Sequence, residues 1–345
     1  MTEILIAILI FCIMLFLYMH IHFHLKTCDD LEVYRIETPS KDRLEEICDL
    51  RQPVIFAFDS TSDLNTFSLH QLNSENSVFD LKIRNVRRMD SINEDPLPLS
   101  LEASIQLFEN DREKMFFTEY NKEFLDETGS ITKIRQNDTF LRPYIVSSCN
   151  YDILSGSNES YTPLRYHLNY RNYFAVTNGK VKIKLCCPKN KKYLDVIHDY
   201  SNFEFRSSLN PWDIDAIKKN TDVRKVKFDE VTVNKGEIIF IPAYWWYSIQ
   251  FENDSCVTAF YYRTLMNSLT ISPHFILRLM QTGNTKHTTA VLANDPPKMI
   301  DSIPTLSSIQ DSNSHNGKKK VLNKHKHNKE EEKKKLSAKD LSLEL

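Results

Sequence analysis

The sequence predicts a mostly β domain with flanking helices, preceded by one membrane-spanning helix. Three observations carry this reading. Residues 4–25, "ILIAILIFCIMLFLYMHIHFHL", contain no Asp, Glu, Lys or Arg over 22 positions. The second half of the chain holds short apolar runs separated by turn residues at regular intervals, the pattern of an antiparallel sandwich or barrel. Helical periodicity is confined to stretches before and after those runs.

The N-terminal run, taken as a helix, spans roughly 33 Å, which matches the hydrocarbon core of a bilayer. It is too long for the apolar part of a signal peptide, lacks a basic leader and shows no small-x-small cleavage site. A single-pass anchor is the expectation. Only Glu3 precedes it, whereas Lys26, Arg35, Lys41 and Arg43 follow it. The positive-inside rule therefore places the body on the cytosolic side. The sequons at Asn137, Asn158 and Asn253 would then stay unglycosylated. His20, His22 and His24 are spaced so that neighbours fall on different helix faces, and they read as interfacial residues.

Residues 28–285 read as one domain. "PVIFAF" (53–58) predicts a strand, and "LPLSLEASIQLFEND" a helix opening near Leu97. "TEYNKEFLDETG" (118–129) predicts a helix that stops at Gly129. The segments "NYFAVTNG", "KVKIKLCC", "KVKFDEVTVNKGEIIFIPA" and "SCVTAFYYR" predict strands, and a helical pattern follows from Ser272. From residue 286 to 345 the chain is polar, charge-blocked and Pro-containing, which predicts a disordered tail.

The chain has 345 residues, 41% of them hydrophobic, enough for a sizeable core. A formal charge of −2 carries no global nucleic-acid signature, and no nucleic-acid partner is expected. The Lys/His cluster at 318–329 is blunted by Glu330, Glu331 and Glu332. The seven cysteines include no CxxC pair, consistent with reduced thiols on the cytosolic side of a membrane. Only six glycines occur, and the abundance of Asn, Lys and Ile suggests an AT-rich genome. With the anchor and charged tail, that usage suits a protein of a large DNA virus, located in a virion membrane or host endomembrane.

Two segments carry a family resemblance: "TPLRYHLNYRNYFAVTNGKVKIKLCCP" (162–188) and "VTVNKGEIIFIPAYWWYSIQF" (231–251). They resemble the JmjC and cupin-like family of Fe(II), 2-oxoglutarate-dependent oxygenases in glycines, prolines, spacing and the double tryptophan. The resemblance implies a double-stranded β-helix, or jelly-roll barrel. It also implies a metal triad of His, a carboxylate two residues on and a distal His. Here the three positions hold Arg165, His167 and Tyr247. A guanidinium stays protonated and cannot ligate a cation. Arg165 lies one residue further from Gly179 than the family spacing; the shifted register puts Tyr166 and Leu168 at the ligand positions, and neither choice yields the triad. Of the family's pocket positions, Asn172 and Trp246 are kept, while the lysine expected to hold 2-oxoglutarate is Val181. Along this strand Lys180, Lys182 and Lys184 share one face, and Val181, Ile183 and Leu185 share the other.

The expectation is a non-catalytic member with neither metal nor cofactor, membrane-bound through residues 4–25 and serving as a binding or structural module for a protein partner. The alternative is an Fe(II)/2-oxoglutarate-dependent hydroxylase whose unorthodox ligands come from His167, His198 or a neighbouring loop. A third reading places metal-free chemistry on Arg165, His167 and Tyr247, without any nucleophile–base spacing to support it.

Overall fold

A computed structural model of the chain describes residues 2–58, 67–88, 96–200, 203–219 and 221–281. The charge-free N-terminal run forms α1 (Thr2–Leu25). Its mean hydropathy over an 18-residue window is 2.9, and none of that window is buried. It has the length and composition of a membrane span and, by the same measures, of a signal segment. Its last turns pack on the folded body, where His24 meets the Tyr170 ring edge-on at 5.1 Å.

The first part of the body alternates short strands and capped helices. β1 (Tyr34–Ile36) and β2 (Val54–Ala57) flank α2 (Lys41–Asp49). Then come α3 (Leu69–Asn76), β3 (Asp80–Asn85), β4 (Leu97–Ser100) and α4 (Leu101–Asn110). Ser40, Ser68 and Ser100 each accept a backbone N–H three residues on, satisfying a donor that the first helical turn leaves free. The helix expected from Leu97 thus begins four residues later. Leu97–Ser100 instead completes a ladder with β3, a tertiary pairing that overrides the local helical pattern. The expected helix at 118–129 is also divided. Thr118 closes β5 (Phe116–Thr118), Tyr120 turns the chain with a φ of 64°, and α5 (Lys122–Glu127) follows. Gly129, in the left-handed region, stands before α6 (Ser130–Asn137).

The second part changes sheet repeatedly, apart from β9 to β12, which stay in one. β6 (Val146–Gly156), β8 (Arg171–Asn178), β13 (Glu237–Phe240) and β15 (Cys256–Thr264) join β1 to β5 in a nine-stranded sheet. β7 (Arg165–Tyr166), β9 (Lys180–Cys186), β10 (Val196–Asp199), β11 (Glu204–Ser207), β12 (Asp229–Asn234) and β14 (Trp246–Phe251) form a six-stranded sheet. α7 (Ile214–Lys219) lies between β11 and β12, and α8 (Leu265–Thr270), capped by Thr264, follows β15 and packs against α1. Residues 272–281 are helical, as the sequence indicated.

Gly179, with φ +64°, is the single-residue corner between β8 and β9, and its Cβ position would lie 3.0 Å from the Ser255 backbone. Only a glycine fits both demands. The chain-switching order matches a jelly roll, but the strands described form two separate facing sheets and not one closed barrel. Val181, Ile183, Leu185, Ile249 and Phe251 from the smaller sheet meet Phe174, Val176, Ile239 and Val257 from the larger in one apolar core. Lys180 and Lys184 point away, to Glu252 at 3.0 Å and Glu230 at 3.6 Å. The tail from 286 lies outside the described residues.

Candidate functional site

β7 has only two residues, yet it sets the geometry. Arg165 pairs directly with Tyr247 of β14 on one side and with Arg206 of β11 on the other. Directly paired residues project to the same face, so these three side chains stand in a row. Alternation sends their neighbours to the opposite face. There Tyr166 stacks on Phe205 at 5.3 Å and meets Trp246 edge-on at 4.8 Å, within the outer cluster that also holds Leu168. The strand register therefore groups Arg165 with Tyr247, and Tyr166 and Leu168 with the outer face. Trp246 is accordingly not a pocket residue: it packs outside, because it is one position from Tyr247. His198 shares the outer side with Phe205, its direct partner across β10 and β11.

Arg165 is part of a buried network of three arginines and three acids. Its Nη1 donates to Glu119 Oε1 at 3.0 Å and to Glu204 Oε1 at 3.2 Å, while Nη2 donates to Glu119 Oε2. Arg84 reaches both carboxylates, binding Glu119 Oε1 and, at 3.2 Å, Glu204 Oε1. Arg206 Nη1 donates to Glu204 Oε2 at 2.9 Å and lies 3.6 Å from Asp199 Oδ2. None of the six is more than 3% exposed. Buried charges survive only when paired and hydrogen-bonded, and here three guanidiniums face three carboxylates. Burial alone would raise the Glu204 carboxyl, but Arg84, Arg165 and Arg206 overcome it and bring it down to about 2. Burial likewise opposes the charge on Arg165, yet Glu119 and its other neighbours hold that guanidinium well above its ordinary range.

Beside the network sit two polar groups without well-placed partners. His167 Nε2 and Tyr247 Oη are both buried atoms with no partner in good hydrogen-bond geometry, although the Arg165 guanidinium leans toward the Tyr247 hydroxyl; the two ring centroids are 5.6 Å apart. Desolvation, reinforced by Arg165, pushes the imidazole down to about 3, so it is neutral near pH 7. Burial pushes the Tyr247 phenol upward against the pull of Arg165, whose Cζ lies 5.8 Å from the ring centroid. Val181 is fully buried in the inter-sheet core. Asn172 donates Nδ2–H to Ile241 O at 3.0 Å and accepts from Asn169, bracing the segment that leads to the tryptophans.

To a cation this arrangement offers one imidazole nitrogen and a protonated phenol next to a fixed guanidinium. Among the described residues no group of three or more His, Cys, Asp or Glu side chains is disposed to hold a metal ion. Four cavities lined by described residues lie elsewhere.

Sequence reasoning missed Arg84, Glu119, Glu204 and Arg206. "FEFRS" does alternate Glu204 and Arg206 around Phe205, a period-two charge pattern in a strand. Nothing local joins that pair to Glu119, which is 46 positions from Arg165.

The fold and this site define a two-sheet, sheet-switching domain with a buried cluster of charges around Arg165. The model of the cupin-like domain family matches residues 42–268, about two thirds of the chain, and the chain belongs to that family. A search among curated proteins finds no match.

Proposed function

We propose that this protein is a membrane-anchored cupin-like domain that binds no catalytic metal and serves as a binding or structural module for a protein partner. The observation that carries this reading is the commitment of Arg165 to Glu119 and Glu204. At the position of the first ligand stands a guanidinium, which has no lone pair to donate, and the carboxylates around it are already neutralised. Tyr247 stays a neutral phenol, and Val181 supplies no charge for a 2-oxoglutarate carboxylate. Facial Fe(II) chemistry calls for two imidazoles and a carboxylate, and the donor set at Arg165, His167 and Tyr247 does not fit it. α1 anchors the chain with residues 26–345 on the cytosolic side, which the downstream basic residues favour.

One observation favours the alternative hydroxylase with unorthodox ligands. His167 Nε2 is neutral and unpartnered, the state in which an imidazole ligates a metal. The two readings separate on the full-length protein purified anaerobically in detergent and supplied with Fe(II) and 2-oxoglutarate. The module reading expects substoichiometric iron, no rise in melting temperature of the kind a bound ligand produces, and no succinate above a boiled control. One iron per chain, or succinate formation, would favour the hydroxylase.

A further inference from the structure

A cavity of about 710 Å³ lies between the lower half of α1 and the body; Phe16, Met19, Phe23, Ile145, Leu265 and Met266 make up most of its apolar lining, while Glu45 and Asp49, both paired with Arg171, and His20 and His24 also line it. Its position along α1 is informative. Phe16 lies nine residues before Leu25, roughly 14 Å up the helix axis at 1.5 Å per residue. A bilayer's apolar core is only about 30 Å thick. If residues 4–25 span it, the parts of the body that reach Phe16 and Met19 sit at acyl-chain depth.

The surface chemistry agrees. Outside α1, thirteen large apolar side chains among the described residues are well exposed, and eight of them fall in two segments, 144–145 and 265–280. Leu265 is 63% exposed and Ile145 is 81% exposed. Ile145 is also held at φ 55°, a conformation that β-branched residues avoid. The fold thus keeps an apolar side chain pointing outward at the cavity's rim against both its solvation and its backbone preference. Beside it, Tyr144 is exposed, its hydroxyl donating to Asp42 at 2.8 Å and Lys41 Nζ 5.6 Å from its ring centre. An amphipathic aromatic under a lysine suits the boundary between acyl chains and headgroups.

We propose that the end of the body at the foot of α1 is a lipid-facing surface, in which acyl chains of the surrounding bilayer fill the cavity and cover Ile145 and Leu265. This rests on the reading of α1 as an anchor and goes beyond it: the body is partly embedded, not merely tethered. Contiguity with the spanning helix and the depth of the cavity argue for the bilayer as the occupant.

The test uses full-length protein reconstituted in phosphatidylcholine nanodiscs, with a benzoyl-phenylalanine photocrosslinker placed at Ile145, at Leu265 or, as controls, at Leu97 or Ile214. All four positions are exposed, so the replacements leave the core intact. Lipid adducts at Ile145 and Leu265 are expected at roughly tenfold the control yield, as for side chains buried in the headgroup–acyl boundary rather than in water. Protein that enters discs but labels lipid no more at these sites than at Leu97 and Ile214 would overturn the surface and leave the anchor standing. Adducts to the chain's own 286–345 segment or to a second copy would overturn it in the same way. Failure of the intact chain to enter discs would overturn the anchor, and the surface with it.

Discussion

His167 is a half-buried titratable group beside a fixed cation, and its chemistry is set by the burial of its Nε2. Folded, the imidazole takes up a proton only near pH 3; unfolded, it does so near 6.5. Above 6.5 neither state is charged, and His167 adds no pH dependence. As pH falls from 6.5 toward 3, the unfolded chain binds a proton that the folded one refuses, so stability is lost through that window. The effect is about 4 kcal/mol across the whole range. Denaturant unfolding at a series of pH values should show a steeper acid loss for the native chain than for His167→Gln; parallel curves would mean that the imidazole Nε2 is not buried. The same neighbourhood sets the cost of Arg165→His. That change leaves Glu119 with Arg84 as its one remaining partner in the network, and an uncompensated buried charge typically costs about 3–5 kcal/mol.

Among the elements, close approach and backbone conformation can be separated at two glycines. A Cβ on Gly156, at the end of β6, would lie 2.8 Å from Phe251 Cδ2 and 2.9 Å from Phe117 Cβ. Gly236, between β12 and β13, has φ +85° but nothing within 4 Å of its Cβ position. Gly156→Ala should therefore cost about 2 kcal/mol or more through overpacking. Gly236→Ala should cost only the left-handed strain, about 1 kcal/mol. Thermal unfolding of the two variants checks the order, and equal losses would refute it. Legibility in the sequence followed the same division. Strands such as β9 were readable because period-two alternation translates directly into a buried and an exposed face. β4 was not, because its strand character comes from pairing with β3. The charged network was illegible for a stronger reason: an acid is safe to bury only if its partner arrives from elsewhere, and Glu119 meets Arg84 and Arg165 from 35 and 46 positions away. The motif residues marked the positions around which to look, but not the network that surrounds Arg165.

For the whole molecule the question is whether α1 holds the body at a membrane. With α1 as a span and the body cytosolic, alkaline carbonate should leave the protein in the membrane pellet, and Asn137, Asn158 and Asn253 should carry no glycan. Release into the supernatant would remove the anchor. A glycan at any of the three sites would reverse the orientation.

The six-charge cluster also bears on how the chain reaches its native state. Its members come from β3, the turn after β5, β7, β10 and β11, and so from both sheets; Arg84 and Glu204 are 120 positions apart. A half-assembled version would strand a desolvated ion, which no intermediate tolerates cheaply. The β10–β11 hairpin carries its own Arg206 pairs, but Arg84, Glu119 and Arg165 join it only after long chain loops have been drawn together, the circumstance that slows folding. Once closed, the cluster opens only by separating Arg84 and Arg165 from Glu204 across those loops. Such closure lends the native state persistence in time, independent of how deep its free-energy minimum lies.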